Sequence, residues 1–150
     1  MVESDTYVNL LASYDSKRRY DIRRAPRVGV TLEIEAIQSG DRAAEIYESI
    51  MPLHRESWAR TGLGAHTLGY WCGFSKSIRE SGGHDLVVRA KHDGETVSAV
   101  VVHVRGSSAF YQMNSSSISG QKVSANPFAL HAALVASSGL GAKYFELGRY

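Results

Sequence analysis

The sequence has 150 residues, of which 43% are hydrophobic and 21% are charged, and this balance is typical of one soluble domain with a buried core. No apolar run approaches the roughly 18 residues that a membrane span needs. The acidic N-terminal stretch MVESDTYVNLL does not resemble a secretory signal, and Cys72 is the only cysteine. We therefore expect no internal disulfide and a reducing, cytoplasmic compartment. The six histidines form no HExxH motif, so a metal site has no support.

The net charge of +2 conceals a basic segment. Between Asp15 and Arg27, six basic residues stand against two acids, which gives the segment a charge of +4 and leaves −2 for the rest. A local basic face on a nearly neutral chain favours a specific anionic ligand over general binding of nucleic acid. Arg19 and Arg23 share one helical face and are the predicted substrate-binding pair. A solvated helix with internal ion pairs explains the same pattern.

The first half of the chain predicts helices around one strand. Apolar residues recur at helical spacing over residues 8–25, and Pro26 and Gly29 are expected to end this helix. The alternating stretch VGVTLEIEAI predicts a half-buried strand. Ser39 or Asp41 is the predicted cap of the next helix, in which Pro52 predicts a kink or a break. LGYWCGFSKSIRES predicts a further helix, ended by a Gly-Gly pair.

The second half predicts a β-meander, then a helix and a strand. The stretch HDLVVRAKHDGETVSAVVVHVRGSSAFYQMNSS contains three apolar runs, separated by turn signals at 93–94 and 106–108. A polar loop over 115–125 precedes a helix that starts at Asn126 and Pro127. The final KYFELGR predicts a strand, and the order strand, helix, strand favours a parallel pair joined by a crossover. The whole order predicts a single α+β domain over residues 1–150 with a mixed sheet.

The polar loop is a candidate anion site because it leads into a helix. A helix N-terminus offers unpaired backbone N–H groups and a positive dipole end, where phosphate binds readily. The small residues predict a flexible loop that comes close to a phosphate. The predicted donor-binding residues are Ser115, Ser116, Ser117, Gly120, Gln121, Lys122 and Asn126. An ordinary surface loop with a helix cap explains the same composition.

Four stretches of the chain, in their order and spacing, resemble a known family. They are YDSKRRYDIRRAPRVGVTLEI, EIYESIMPLHRESWARTG, LVVRAKHDGETVSAVVVHVRGSSAFYQMNSSS and NPFALHAALVASSGLGAKYFELGR, which together cover residues 14–149. They resemble the GNAT acyltransferase fold and, within it, the FemAB-like and BioF2-like acetyltransferase-domain family. The resemblance implies a GNAT-like α+β sheet with flanking helices. Because the family usually continues past the last strand, it also implies a fragment, or a short version, of a longer transferase.

The resemblance implies an acyl- or aminoacyltransferase that forms an amide between an activated donor and an amine. The implied donor is acyl-CoA or aminoacyl-tRNA, without a tightly bound cofactor, and the acceptor belongs to a cell-wall precursor, a polysaccharide or a small metabolite. Of the pyrophosphate loop of ordinary GNAT enzymes, only Gly120 and Gln121 are matched. One alternative is a non-catalytic GNAT-like module that binds RNA or a nucleotide-linked ligand through residues 17–27. Another is one half of a duplicated transferase, inactive alone.

The resemblance also places the reaction between two strands, Phe110–Asn114 and Tyr144–Leu147. If these strands part, a backbone N–H can bind the carbonyl oxygen as negative charge develops there. Glu146 and Tyr111 are the predicted catalytic residues, and His131 is a further candidate for the base. A paired strand carboxylate, a core tyrosine and a packed helix histidine are the structural alternatives for these three.

Overall fold

The structure, a computed structural model, describes residues 10–146 and contains one five-stranded mixed sheet within them. The strands, which neighbour one another in chain order, are β1 Thr31–Ile37, β2 His84–His92, β3 Glu95–Arg105, β4 Ser108–Ser116 and β5 Tyr144–Glu146. The helices are α1 Ser16–Arg27, α2 Gly40–Arg60, α3 Leu68–Glu80, α4 Ile118–Lys122 and α5 Ala125–Gly139. Strands β1 to β4 pair antiparallel, and β4 pairs with β5 in parallel. The predicted meander and parallel pair are confirmed.

The sheet is buried on both faces, which explains the continuous apolar run of β3. Successive side chains of a strand point to opposite faces. Val100 and Val102 therefore pack with α1 and α5, whereas Ala99 and Val101 pack with α2 and α3. Strand β1 lies at the edge, beyond the strands that α5 contacts, so Ile34 is exposed although its alternation predicted burial. The apolar core therefore lies on both sides of β2, β3 and β4.

Side-chain caps and turn residues define the ends of several elements. Ser39, and not Asp41, caps α2 by accepting the backbone N–H of Arg42 at 3.1 Å. Asp93 and Gly94 have φ values of 52° and 79°, as a two-residue hairpin turn requires. The hairpin turn was correctly predicted from residue type, because few residues adopt positive φ, and Ser39 is the one of the two predicted caps that the structure shows.

Two helix boundaries differ from the predictions. Residues 10–13 are helical, but Asp15 has extended backbone and caps a new helix, which passes through Pro26 and ends at Arg27. Residues 8 and 9 of the first predicted helix lie outside the described residues. Helix α2 contains no break at Pro52. Because Pro52 and Glu48 are both exposed, the Glu48 carbonyl that loses its helical partner can bind water instead.

Candidate active site

Strand β4 is the centre of the candidate site because it pairs with β5 at one end and, among the described residues, with β3 alone beyond that end. Residues 108–110 of β4 pair with residues 144–146 of β5. Beyond that point, β3 is the only strand partner of β4 among residues 10–146. The register against β3 shifts opposite Val101 and Val102, which makes Gln112 an extra residue and forms a β-bulge. The remainder of the predicted last strand, from Leu147 onward, lies outside the described residues.

The end of β4 is held by side chains of α2. Ser116 and Ser98 form a non-hydrogen-bonded pair, because the next N–H, that of Ser117, is donated across to β3 at 3.0 Å. The backbone groups of Ser116 therefore point away from β3. Ser57 Oγ accepts the Ser116 N–H at 3.0 Å, and the Arg60 guanidinium donates to the Ser116 carbonyl. We call Ser57 and Arg60 the Ser116 clamp, since they occupy the groups that another strand would use.

Asn114 lies two residues before Ser116 in β4, so its backbone N–H and carbonyl also point away from β3. Neither group has a hydrogen-bond partner among residues 10–146. The Asn114 side chain accepts a hydrogen bond from the amide of Asn126, which also donates to Ser98 Oγ at 3.0 Å. These bonds tie the first turn of α5 to β4. We call the outward backbone from Gln112 to Ser116 the β4 edge.

The serine-rich segment is not the flexible loop that the sequence predicted. Ser115 and Ser116 end β4 with 1% and 8% exposure, and the next residues form α4. Ser115 Oγ lies 3.3 Å from His54 Nδ1, and Ser116 Oγ lies 3.3 Å from Ser98 Oγ. Both hydroxyls are therefore committed to internal contacts. The backbone N–H and carbonyl of Ser116 are occupied as well, by Ser57 and Arg60.

Gly120 packs tightly where the prediction placed a flexible glycine. A Cβ atom on Gly120 would lie 2.2 Å from the carbonyl oxygen of Val97. Val97 is the extra residue of a second bulge, between the pairs Ala90–Ser98 and Lys91–Thr96. Its carbonyl also accepts the Ser117 N–H at 3.0 Å. The bulge in β3 therefore forms the surface on which α4 packs.

The exposed residues of α4 lie beside the basic helix α1. Gln121 and Lys122 are exposed, and the Lys122 carbonyl accepts a hydrogen bond from Arg24 at 2.8 Å. Arg24 also donates to Ser124 Oγ at 3.3 Å, at the residue before α5 begins. Asp21 accepts a hydrogen bond from the same hydroxyl at 3.2 Å. Helix α1 is thus fixed against the junction of α4 and α5, next to the predicted donor-binding residues.

Both predicted substrate-binding arginines lie on α1. Arg19 is half-buried and donates to the carbonyl of Tyr14. Arg23 is exposed and has no carboxylate partner in the described part of the chain. The intrahelical pair of Lys17 and Asp21 forms at 3.2 Å, as the solvated-helix alternative expects. Arg23 is therefore the freer of the two arginines to bind an anion.

Two of the three predicted acid–base residues, Tyr111 and Glu146, lie on opposite faces of the sheet. Tyr111 packs against the apolar core beneath α5. Glu146 is exposed, and it follows Phe145, which packs on the α5 face, so Glu146 points to the opposite face of the sheet. His131 is 1% exposed, with Nδ1 3.2 Å from the Tyr14 hydroxyl, and burial lowers its pKa to about 4. Tyr111 and Glu146 therefore stay separate predictions and do not form one catalytic pair.

His54, which lies in the apolar stripe of α2, was not among the predicted site residues. Its Nε2 accepts the backbone N–H of His66 at 3.3 Å, so Nδ1 carries the proton and donates to Ser115 Oγ. Burial, then the nearby His66 and Arg55, lower the pKa of His54 to about 4. A neutral His54 therefore ties the segment at 61–67 and helix α2 to the end of β4.

A second buried polar cluster lies toward the opposite end of β2 and β3. The Tyr47 hydroxyl lies 2.9 and 2.8 Å from the two carboxylate oxygens of Asp85, and His103 Nε2 lies 3.3 Å from the first of them. All three residues are fully buried, and burial together with Asp85 raises the pKa of Tyr47. Without access to solvent, this cluster is structural. Its clearest sequence signal was His103, which stands between two valines in the apolar run of β3.

An open groove of about 540 Å³ lies between α2, the start of β3 and α4. Glu56 and Glu95 line it, and Ser117 is the only predicted site residue in its wall. Residues 10–146 contain no group of three His, Cys, Asp or Glu side chains that could hold a metal ion. None of the helices in that range has the length and apolar character needed to cross a membrane.

Comparisons with known proteins agree with this fold. FemX superposes with a TM-score of 0.69 and 15% identity, over 92% of this chain and 49% of that chain. The C-terminal DUF2156 domain of a protein named as a lysylphosphatidylglycerol synthetase from Agrobacterium fabrum gives a TM-score of 0.64 and 16% identity, over 92% and 44%. This chain therefore spans about half the length of each of these two structures.

A third solved structure, AAC(6')-Iy in complex with the bisubstrate analogue CoA-S-monomethyl-acetylneamine, superposes with a TM-score of 0.57 and 12% identity, over 80% of each chain. No curated protein sequence matches this chain significantly. The family model of the acetyltransferase (GNAT) domain matches residues 16–150. Because that match covers nearly the whole chain and the sheet is the one the resemblance implied, the chain belongs to the GNAT acetyltransferase domain family.

Proposed function

We propose that this domain transfers an acyl group from an activated donor to an amine and so forms an amide. The observation that carries the proposal is the β4 edge. Between its pairing with β5 and the Ser116 clamp, β4 leaves the backbone of Asn114 without a partner in the described residues. An extended ligand with amide groups can pair with such an edge as an added strand does.

Acyl-CoA is the donor that we favour. Its pantetheine arm carries amide groups that match the β4 edge, and its phosphates need cationic or N–H donors. The first turn of α5 and the exposed Gln121 and Lys122 lie at the end of that edge, and Arg24 adds a further positive charge. The coenzyme A analogue bound to AAC(6')-Iy supports the same choice. Aminoacyl-tRNA is the other donor, for which the likeness to FemX is the support.

The chemistry needs little beyond orientation and one anion-stabilising donor. The amine nitrogen attacks the carbonyl carbon, the oxygen gains negative charge, and the thiolate of coenzyme A leaves while the amine loses a proton. Orientation of the two reactants supplies about 7–11 kcal/mol. A backbone N–H of β4 aimed at the oxyanion contributes about 3 kcal/mol more. Glu146 and Tyr111 stay predictions for the group that accepts the proton.

One feature favours a second candidate function, a non-catalytic module that binds RNA or a nucleotide-linked ligand. Tyr20 is 61% exposed on α1, beside the exposed Arg23. An exposed aromatic ring next to arginine can stack on a base while the cation contacts phosphate. A catalytically inactive half of a longer transferase is a third candidate.

A transfer assay with matched variants separates these functions. The chain is incubated with acetyl-CoA and a panel of amines, and free thiol and amide product are measured by absorbance and mass spectrometry. We expect transfer that Lys122→Ala and Gln121→Ala reduce and that Arg19→Gln and Arg23→Gln leave nearly unchanged. If no donor gives an amide, aminoacyl-tRNA included, and only the arginine variants lose binding of a fluorescent oligoribonucleotide, the binding module is correct.

A further inference from the structure

We propose that Ser57 and Arg60 are positioning residues for the donor, because the Ser116 clamp keeps the β4 edge open. This inference rests on the proposed function and adds a role for the last turns of α2. Neither residue needs to touch the reacting atoms. They act through Ser116, whose backbone N–H and carbonyl they bind.

One stripe of α2 holds the last two residues of β4. His54, Ser57 and Arg60 follow one another at intervals of three, which places them along one side of a helix. His54 binds the side chain of Ser115 at 3.3 Å, and the other two bind the backbone of Ser116. Three contacts from one helix to two adjacent residues fix the position of this strand end.

The Arg60 side chain is suited to this position. Its Nη1 bonds to the Glu56 carboxylate at 3.1 Å while the other terminal nitrogen donates to the Ser116 carbonyl, and its side chain is 28% exposed. The guanidinium is planar and always charged, with five donors in fixed directions, so it can hold both partners together. A lysine has the charge but lacks this geometry.

The clamp matters because unpaired strand edges attract other backbone. A free N–H and carbonyl at Ser116 would invite an additional strand to pair along β4 and cover Asn114. With these groups satisfied by side chains, the ladder ends at Ser116, and no group of residues 10–146 occupies the backbone of Asn114. The clamp also fixes the start of the segment that carries Gln121 and Lys122, so its loss would displace two parts of the donor site together.

The test measures binding of coenzyme A and acetyl-CoA by calorimetry, with steady-state kinetics on any amine that reacts. We expect Arg60→Gln and Ser57→Ala each to weaken coenzyme A binding about tenfold. The KM for the donor should rise while the KM for the amine stays the same. Arg60→Lys should recover part of the affinity. Arg55→Gln, an exposed charge change on the same helix, is the matched control and should bind as the wild type does.

Backbone hydrogen exchange gives a readout that does not depend on activity. Loss of the clamp should speed exchange of the Ser116 amide, while the thermal midpoint falls by only a few degrees. If the wild type binds coenzyme A and the clamp variants bind equally well, the positioning role is wrong and the proposed function survives. If the wild type binds neither coenzyme A nor acetyl-CoA, the acyl-CoA form of the proposed function fails, and the positioning role fails with it.

Discussion

Replacing Gly120 with alanine tests how α4 is seated on β3. The new Cβ would lie 2.2 Å from the Val97 carbonyl oxygen, 3.0 Å from its carbonyl carbon and 3.1 Å from its Cβ. Two of these atoms belong to the backbone of a central strand, so α4 must move outward. Gly120 does not have positive φ, and the penalty is therefore steric and not conformational.

The cost can be worked out from the atoms involved. Overpacking of this kind costs about 1–3 kcal/mol. An outward shift of α4 also weakens the bond from the Ser117 N–H to Val97, worth about 1 kcal/mol. The higher helix propensity of alanine returns about 1 kcal/mol. We expect Gly120→Ala to lower the free energy of unfolding by about 1–3 kcal/mol in total.

Urea unfolding followed by circular dichroism measures this change, with Gly73→Ala as the control. Gly73 lies inside α3, and nothing lies within 4 Å of a Cβ placed on it. The control should therefore stabilise the protein by about 1 kcal/mol. The reasoning is refuted if Gly120→Ala is as stable as the wild type or more stable, because α4 would then not be pressed against Val97.

Three further predictions concern buried polar groups and the donor. Folding lowers the pKa of His54 and of His131 from 6.5 to about 4. The unfolded chain therefore takes up these two protons at a higher pH than the folded chain does. The free energy of unfolding should decline as the pH falls from 6.5 towards 4, by about 3 kcal/mol for each histidine. Urea midpoints at several pH values test this, and His54→Gln should flatten the decline. Tyr47→Phe removes the hydroxyl that lies 2.8 Å from Asp85 and should cost about 1–3 kcal/mol in unfolding free energy, whereas an unchanged midpoint would show that the carboxylate finds another donor. Lys122→Ala should weaken coenzyme A binding, and the loss relative to the wild type should be larger at low salt than at high salt. A loss of equal size at low and high salt would exclude a phosphate contact.

The elements that the sequence predicted well are those whose signal is local. The two-residue turn at Asp93 and Gly94, the Ser39 cap and the apolar run of β3 each depend on neighbouring residues, and each is confirmed. Of the kink or break predicted at Pro52, the break is absent, because an exposed proline can be tolerated where water satisfies the freed carbonyl.

The candidate site depended on long-range contacts that residue types do not reveal. The serine-rich stretch looked like a phosphate loop, but contacts with His54 and Ser98 draw Ser115 and Ser116 into the interior. No sequence motif singled out Ser57 and Arg60, and only the register of β4 against β3 shows what they bind. Bulges likewise decide which backbone groups face outward, and they leave no clear sequence signature.

The most direct test of the β4 edge is the amide NMR spectrum of the chain during titration with acetyl-CoA. We predict that the largest shift changes fall on Gln112, Asn114 and the first turn of α5, and that the Asn114 amide becomes protected from exchange. Shift changes confined to the arginines of α1, with the amide of Asn114 unaffected at saturation, would contradict the account.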